Sequence, residues 1–151
     1  MSQSLSMVYV HAVFSTKDRI PNLDAPNTRD EVWAYLSGTS AHMGCPAILT
    51  GGMADHVHVL FRMGRDITQS DWVRDIKRSS SIWVKETYPH LSDFHWQGGY
   101  GIFSVSPSNL DSVREYIRTQ EAHHRTMDFK EELRALLRKH GLEWDERYIW
   151  E

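Results

Sequence analysis

Asp55-His56-Val57-His58-Val59-Leu60-Phe61 decides how the rest of the chain is read. Side chains alternate along a β-strand, so His56 and His58 point to one face while Val57, Val59 and Phe61 point to the other. The apolar set packs, and the opposite face presents two imidazoles. Histidine is the commonest metal ligand, and two neutral imidazoles at this spacing can share a divalent ion. They supply only two ligands, and the same pair also suits solvated or hydrogen-bonded strand histidines. A metal centre needs a second element.

Working outward, Ala47-Ile48-Leu49-Thr50 and the Gly51-Gly52 pair precede this stretch. They predict a hairpin with it, joined through a short polar turn. Met7 to Phe14 is rich in β-branched and aromatic residues and predicts a first strand. Asp30 to His42 places Val32, Trp33, Leu36 and Ala41 near helical spacing, with Gly44 and Pro46 beyond its end. Thr68-Gln69-Ser70-Asp71 resembles a capping box with Asp in place of Glu, ahead of a second helix that Pro89 stops. Tyr100 to Val105 predicts a fourth strand, and Ser106-Pro107-Ser108-Asn109 starts a third helix. Phe129 to His140, with Leu133, Leu136 and Leu137 on one side and Gly141 after it, predicts a last helix, followed by an aromatic tail from Trp144 to Trp150.

The order β-α-β-β-α-β is that of a ferredoxin-like α+β sandwich, here with an added tyrosine-bearing helix and a C-terminal helical extension. The 151 residues suit one domain, with a core over about 5–125 and the extension over about 126–151. Apolar residues at 40% and charged residues at 25% are ordinary globular usage and exclude a disordered chain. A net charge of −3 argues against coating nucleic acid through bulk charge, so any DNA contact must be local. Cys45, the single cysteine, cannot form an intramolecular disulfide, which suits a reducing compartment. With no basic-then-apolar leader and no apolar run of roughly 18 residues, a cytoplasmic protein without a membrane partner is expected.

The second element is Val113-Arg114-Glu115-Tyr116-Ile117-Arg118-Thr119-Gln120. Tyr116 and Gln120 lie four apart and share one helix face, with His123 and His124 one turn further, while Leu110, Val113 and Ile117 form the packing face. A tyrosine hydroxyl ordinarily titrates near pH ~10. As a nucleophile it needs a nearby cation or base. A tyrosine that only packs and hydrogen-bonds fits this segment too.

Together, Val10-His11-Ala12-Val13-Phe14-Ser15-Thr16-Lys17, the Asp55 to Phe61 strand, Trp96-Gln97 with Gly99-Tyr100, and Tyr116-Ile117-Arg118-Thr119-Gln120 resemble the single-tyrosine HUH transposases of small insertion sequences, including their REP-associated relatives. The resemblance covers roughly residues 5–125. It implies that His56, His58 and Gln120 bind Mg²⁺ or Mn²⁺ and that Tyr116 attacks a phosphate of single-stranded or hairpin DNA. The product implied is a 5′-phosphotyrosine with a free 3′-hydroxyl, so strand joining needs no nucleotide cofactor. It also implies a homodimer with active sites shared between subunits. Two departures stand out: Asp55 replaces the Asn of many members, and His123 and His124 follow the tyrosine motif.

Asp55 suits either a partner that orients a histidine or a plain turn residue. His11, on the first strand, would lie beside the His56 strand, flanking the metal, contacting substrate or serving structure. Between Arg62 and Lys85, six basic residues, among them Arg74, Lys77 and Arg78, face three acidic ones. With Ser79-Ser80-Ser81 they offer a phosphate-binding surface or a solvated helix face. Trp96 and Tyr100 suit stacking on unpaired bases or core packing. Three rivals share parts of the pattern: a domesticated hairpin-DNA-binding regulator that does not cut, an unrelated hydrolase using His56, His58 and His123 or His124, and a replication-initiator or relaxase nuclease. Placement of Tyr116 after the histidine strand in a short chain favours the transposase.

Overall fold

A computed structural model describes residues 2–151. Its sheet has four antiparallel strands in the order β2-β3-β1-β4, built from β1 (Tyr9–Ser15), β2 (Ala47–Met53), β3 (His56–Arg62) and β4 (Gly101–Val105). With α1 (Pro26–His42) between β1 and β2, and α2 (Gln69–Thr87) between β3 and β4, this is the ferredoxin-like βαββαβ arrangement. The helix α3 (Leu110–Arg118), the short α4 (Gln120–His123) and α5 (Phe129–Lys139) follow. No helix among the described residues is long and apolar enough to cross a membrane.

Alternation along the strands sorts side chains to two faces, and helices cover both. On one face Val10, Ala12, Phe14, Val57, Val59 and Phe61 pack against Val32 and Leu36 of α1 and Trp72, Val73 and Ile76 of α2. Phe61 stacks on Trp72 at 4.0 Å between ring centres, and the Trp72 indole N–H donates to Ser40 Oγ at 3.0 Å. On the other face Leu60, Val105 and Ile117 cluster under α3, and Val13 and Phe103 meet Phe129, Leu133 and Leu137 of α5. The histidine face is therefore a second interior.

Local signals explain the element ends. Thr68 accepts from Asp71 N at 3.1 Å and caps α2, as the sequence leads one to expect. Asp128 accepts from Glu131 N at 2.9 Å and caps α5. α1 begins at Pro26 rather than Asp30, since proline is at ease in the first helical turn, and Ala41 is exposed rather than packed. The Gly51-Gly52 pair lies inside β2, and the turn falls at Ala54-Asp55. Close approach explains both glycines. A Cβ on Gly51 would sit 2.8 Å from Ile117 Cγ2, and one on Gly52, at φ +154°, would sit 2.2 Å from His56 O.

The aromatic tail folds back onto α5. Trp144 and Trp150 donate their indole N–H groups to Glu146 at 2.9 and 2.8 Å, and Arg134 grips the same carboxylate with two bonds at 2.7 and 3.0 Å. Ile149 and Trp150 pack beside Phe129 and Leu133, and Gly98 N and Gly99 N donate to Glu151 O. α5 and the tail thus form part of the packing over the sheet.

Candidate active site

β3 sets His56 and His58 side by side on the face beneath α3, α4 and α5, and both are fully buried. Each imidazole has an outer and an inner partner. His56 Nδ1 lies 2.8 Å from Asp55 Oδ1, while its Nε2 lies 2.8 Å from Gln120 Oε1 and 3.2 Å from Glu132 Oε1. His58 Nδ1 shares a 2.8 Å hydrogen bond with His11 Nε2, and its Nε2 lies 3.0 Å from Glu132 Oε1. Register explains His11: β1 pairs with β3, and the two imidazoles stack with ring centres 5.0 Å apart.

Glu132 was not among the residues singled out from sequence. It is 1% exposed, on the α5 stripe that also carries Phe129 and Leu133. Its Oε1 also lies 3.2 Å from His124 Nε2, and its Oε2 accepts from Gln120 Nε2 at 2.9 Å and from the Tyr116 hydroxyl. A glutamate breaking an apolar helical stripe was the available signal. Side-chain donor atoms of His56, His58 and Glu132 all fall within 4.8 Å of one another.

The tyrosine helix is interrupted. α3 ends at Arg118, Thr119 leaves helical geometry at φ −103°, ψ 26°, and α4 restarts at Gln120. Tyr116 and Gln120 still converge on one carboxylate. Of the two following histidines, His124 reaches the cluster, also lying 3.1 Å from Gln120 Oε1. His123 instead lies against the Tyr116 ring at 4.6 Å and bonds Thr119 Oγ1.

Charge and burial bias these groups. Burial opposes the Glu132 carboxylate, but hydrogen bonds from His124, His56 and His58 outweigh it and hold its pKa far below the usual range. For His56, burial pulls downward, yet the bonds to Asp55 and Glu132 win and raise it to about 9. His58 and His11 are lowered chiefly by burial. Tyr116 is pushed up, first by burial and then by the Glu132 charge, which disfavours phenolate.

The remaining sequence candidates lie elsewhere. α2 covers the opposite sheet face, so Arg74, Lys77 and Arg78 are separated from the histidines by the sheet. Arg74 is exposed and paired with Asp71 and Asp75, and Arg78 is exposed. The Lys77 ammonium is spent on backbone oxygens, donating to Gln97 O at 2.8 Å and Gly99 O at 2.6 Å, and burial brings its pKa down to about 8. Ser79, Ser80 and Ser81 hydroxyls are likewise engaged internally, with Tyr35, Ile76 O and Phe94 O. Trp96 is buried, with its indole N–H on Ser80 Oγ at 2.9 Å, so its ring is not available to stack on a base. Tyr100 is 40% exposed, with Lys77 Nζ 5.7 Å from its ring centre. A cleft of about 530 Å³ between β4, α3 and α5 reaches Tyr116 and Glu132, with Lys139 and His140 also in its wall.

A histidine pair on an inner strand of this sheet, with a tyrosine helix laid over it, describes a transposase-type fold. The chain belongs to the IS200-like transposase family, whose model matches residues 4–120. Two solved structures share the fold. One, described as a transposase of Deinococcus radiodurans R1, has a TM-score of 0.64 at 21% identity, over 80% of this chain and 98% of that one. The other, a REP-associated tyrosine transposase bound to a REP hairpin, has a TM-score of 0.58 at 14% identity, over 82% of this chain and 74% of that one. No curated protein matches the chain. The family match takes in His56, His58, Tyr116 and Gln120 and stops before α5.

Proposed function

We propose that the protein is a single-tyrosine DNA transposase that cuts and rejoins single-stranded or hairpin DNA with Mg²⁺ or Mn²⁺. One observation carries the reading: the Tyr116 hydroxyl is joined through a single carboxylate to the inward nitrogens of both His56 and His58, within one chain. The donor chemistry fits such an ion: the inward nitrogens of His56 and His58 both lie near Glu132 Oε1, and the Gln120 amide oxygen lies 2.8 Å from His56 Nε2. When bound there, a divalent ion supplies positive charge that polarises the scissile phosphate and favours phenolate on Tyr116.

The chain's own groups do the rest. The cleft between α3 and α5 admits a DNA strand to Tyr116, and Lys139 in its wall offers a contact for the backbone phosphates. Glu132 Oε2 holds the tyrosine proton before attack. Tyr116 Oη then loses its proton to solvent and forms a bond to phosphorus as the bond from phosphorus to the 3′-oxygen breaks, and the departing oxygen takes a proton from water to become a 3′-hydroxyl. The 5′-phosphotyrosine keeps the energy of the broken link. Rejoining is the reverse, with a 3′-hydroxyl attacking the phosphotyrosine, and it needs no nucleotide cofactor. Asp55 and His11 act as positioning residues that turn His56 and His58 inward.

The groups meet within one chain, which supports catalysis in cis; a homodimer that shares its sites stays the alternative assembly. Incubation with hairpin DNA labelled at either end, with Mn²⁺ and with chelator, tests the reading. The 5′-side fragment is expected to be released with a free 3′-hydroxyl and the 3′-side fragment to stay on the protein, only when metal is present. Binding of the hairpin with no cleavage under any metal would favour the non-cutting regulator.

A further inference from the structure

We propose that Glu132 is a fourth protein ligand of that divalent ion, supplied from a helix outside the segment that defines the family. The inference rests on the reading that His56 and His58 hold the ion.

The position of Glu132 is unusual for its type. A carboxylate buried without partners costs several kcal/mol, so glutamate is almost never found fully buried unpaired. Here it sits 1% exposed between Phe129 and Leu133 on the inward stripe of α5. Leucine at that position would pack as its neighbours do, so a carboxylate there points to an electrostatic task.

Spacing fits a coordination shell. Ligand atoms on an octahedral Mg²⁺, each bonded at about 2.0–2.1 Å, are separated by about 3 Å along every edge. Glu132 Oε1 lies 3.0 Å from His58 Nε2 and 3.2 Å from His56 Nε2, and Gln120 Oε1 lies 2.8 Å from His56 Nε2. The outer nitrogens are already taken by Asp55 and His11, which is how metal-binding imidazoles are commonly fixed.

Charge makes the same demand. Two imidazoles and an amide form a neutral set, whereas Mg²⁺ and Mn²⁺ favour carboxylate oxygen. Glu132 adds the missing negative charge. It also settles the Gln120 amide, because Gln120 Nε2 donates to Glu132 Oε2 and its carbonyl oxygen is thereby turned toward His56.

The test is Mn²⁺ titration followed by electron paramagnetic resonance of free Mn²⁺ for wild type, Glu132→Gln, His56→Ala and the exposed neighbour Glu131→Gln. Glu132→Gln is expected to weaken Mn²⁺ binding at least about tenfold, while Glu131→Gln matches wild type. Binding by Glu132→Gln within twofold of wild type, alongside loss in His56→Ala, overturns the role of Glu132 and leaves the histidine centre standing. If wild type binds no Mn²⁺, or His56→Ala binds as wild type does, both readings fall. Should Glu132→Gln lose its native circular dichroism, a Mn²⁺-soaked wild-type crystal decides. An anomalous peak within about 2.4 Å of Glu132 Oε1 supports the ligand role, and a peak held only by histidine and glutamine overturns it.

Discussion

β3 is buried on both sides, yet its two faces meet neighbours of opposite character. Val57, Val59 and Phe61 enter an apolar layer under α1 and α2, where Trp72 and Trp96 satisfy their N–H groups on serine hydroxyls. From the opposite face of the same strand, His56 and His58 enter a layer whose centre is a carboxylate, an amide, a phenol and two further imidazoles. Every buried side-chain nitrogen and oxygen among the described residues has a hydrogen-bond partner. The first face is held by area removed from water, the second by a satisfied polar network. One face is an apolar core and the other a buried polar network, with the strand as their shared wall.

Substitutions separate the two faces. The largest loss of stability is expected on the apolar face: Trp72→Ala removes a fully buried ring stacked on Phe61 and costs about 3–5 kcal/mol in urea unfolding. Mn²⁺ affinity of the folded fraction should stay within twofold of wild type. Gly52→Ala tests the wall itself, because its Cβ would meet His56 O at 2.2 Å. It should cost about 1–3 kcal/mol and also weaken Mn²⁺ binding, since relief of the clash displaces His56. Lys77→Met should destabilise by about 1 kcal/mol through the carbonyls it leaves unpaired. Hairpin-DNA affinity should barely change, as this ammonium faces inward on the α2 side.

The smallest effect is expected at the tail, where Arg134 and the Trp144 and Trp150 N–H groups bring the Glu146 carboxyl down to about 2. A carboxylate depressed on folding stabilises above its unfolded value of about 4.5 and loses that contribution as pH falls through about 2. Urea midpoints measured from pH 5 to pH 2 should therefore fall less steeply in Glu146→Gln than in wild type. Parallel curves would detach the tail from the stability of the histidine face.

The sheet was legible in the sequence because β1 is rich in β-branched and aromatic residues, β3 alternates from His56 to Val59, and Thr68 caps α2 as its spacing says. Gly51-Gly52 falls inside β2, where close approach of Ile117 on α3 and of His56 O leaves no room for a side chain. Lys77 and Ser79 to Ser81 suit a DNA surface or a solvated helix face, and Trp96 suits base stacking or core packing; packing of α2 against the sheet and α1 turns most of these groups inward. His56, His58, Tyr116 and Gln120 were legible as types and spacings. Their convergence was implied by the resemblance, but Glu132, which links them from twelve residues beyond Gln120, was not singled out, its one signal being a glutamate within the apolar stripe of α5. Tertiary contact, invisible to local periodicity, joins them.

In the proposed reaction Tyr116 is the nucleophile in a histidine-centred metal site. Its most direct test is denaturing electrophoresis of wild type and Tyr116→Phe after incubation with labelled hairpin DNA and Mg²⁺, with peptide mass spectrometry of any adduct. A covalent protein–DNA band is expected in wild type, mapped to Tyr116, and no band in Tyr116→Phe. An adduct of equal yield in Tyr116→Phe, or one mapped to another residue, would contradict it.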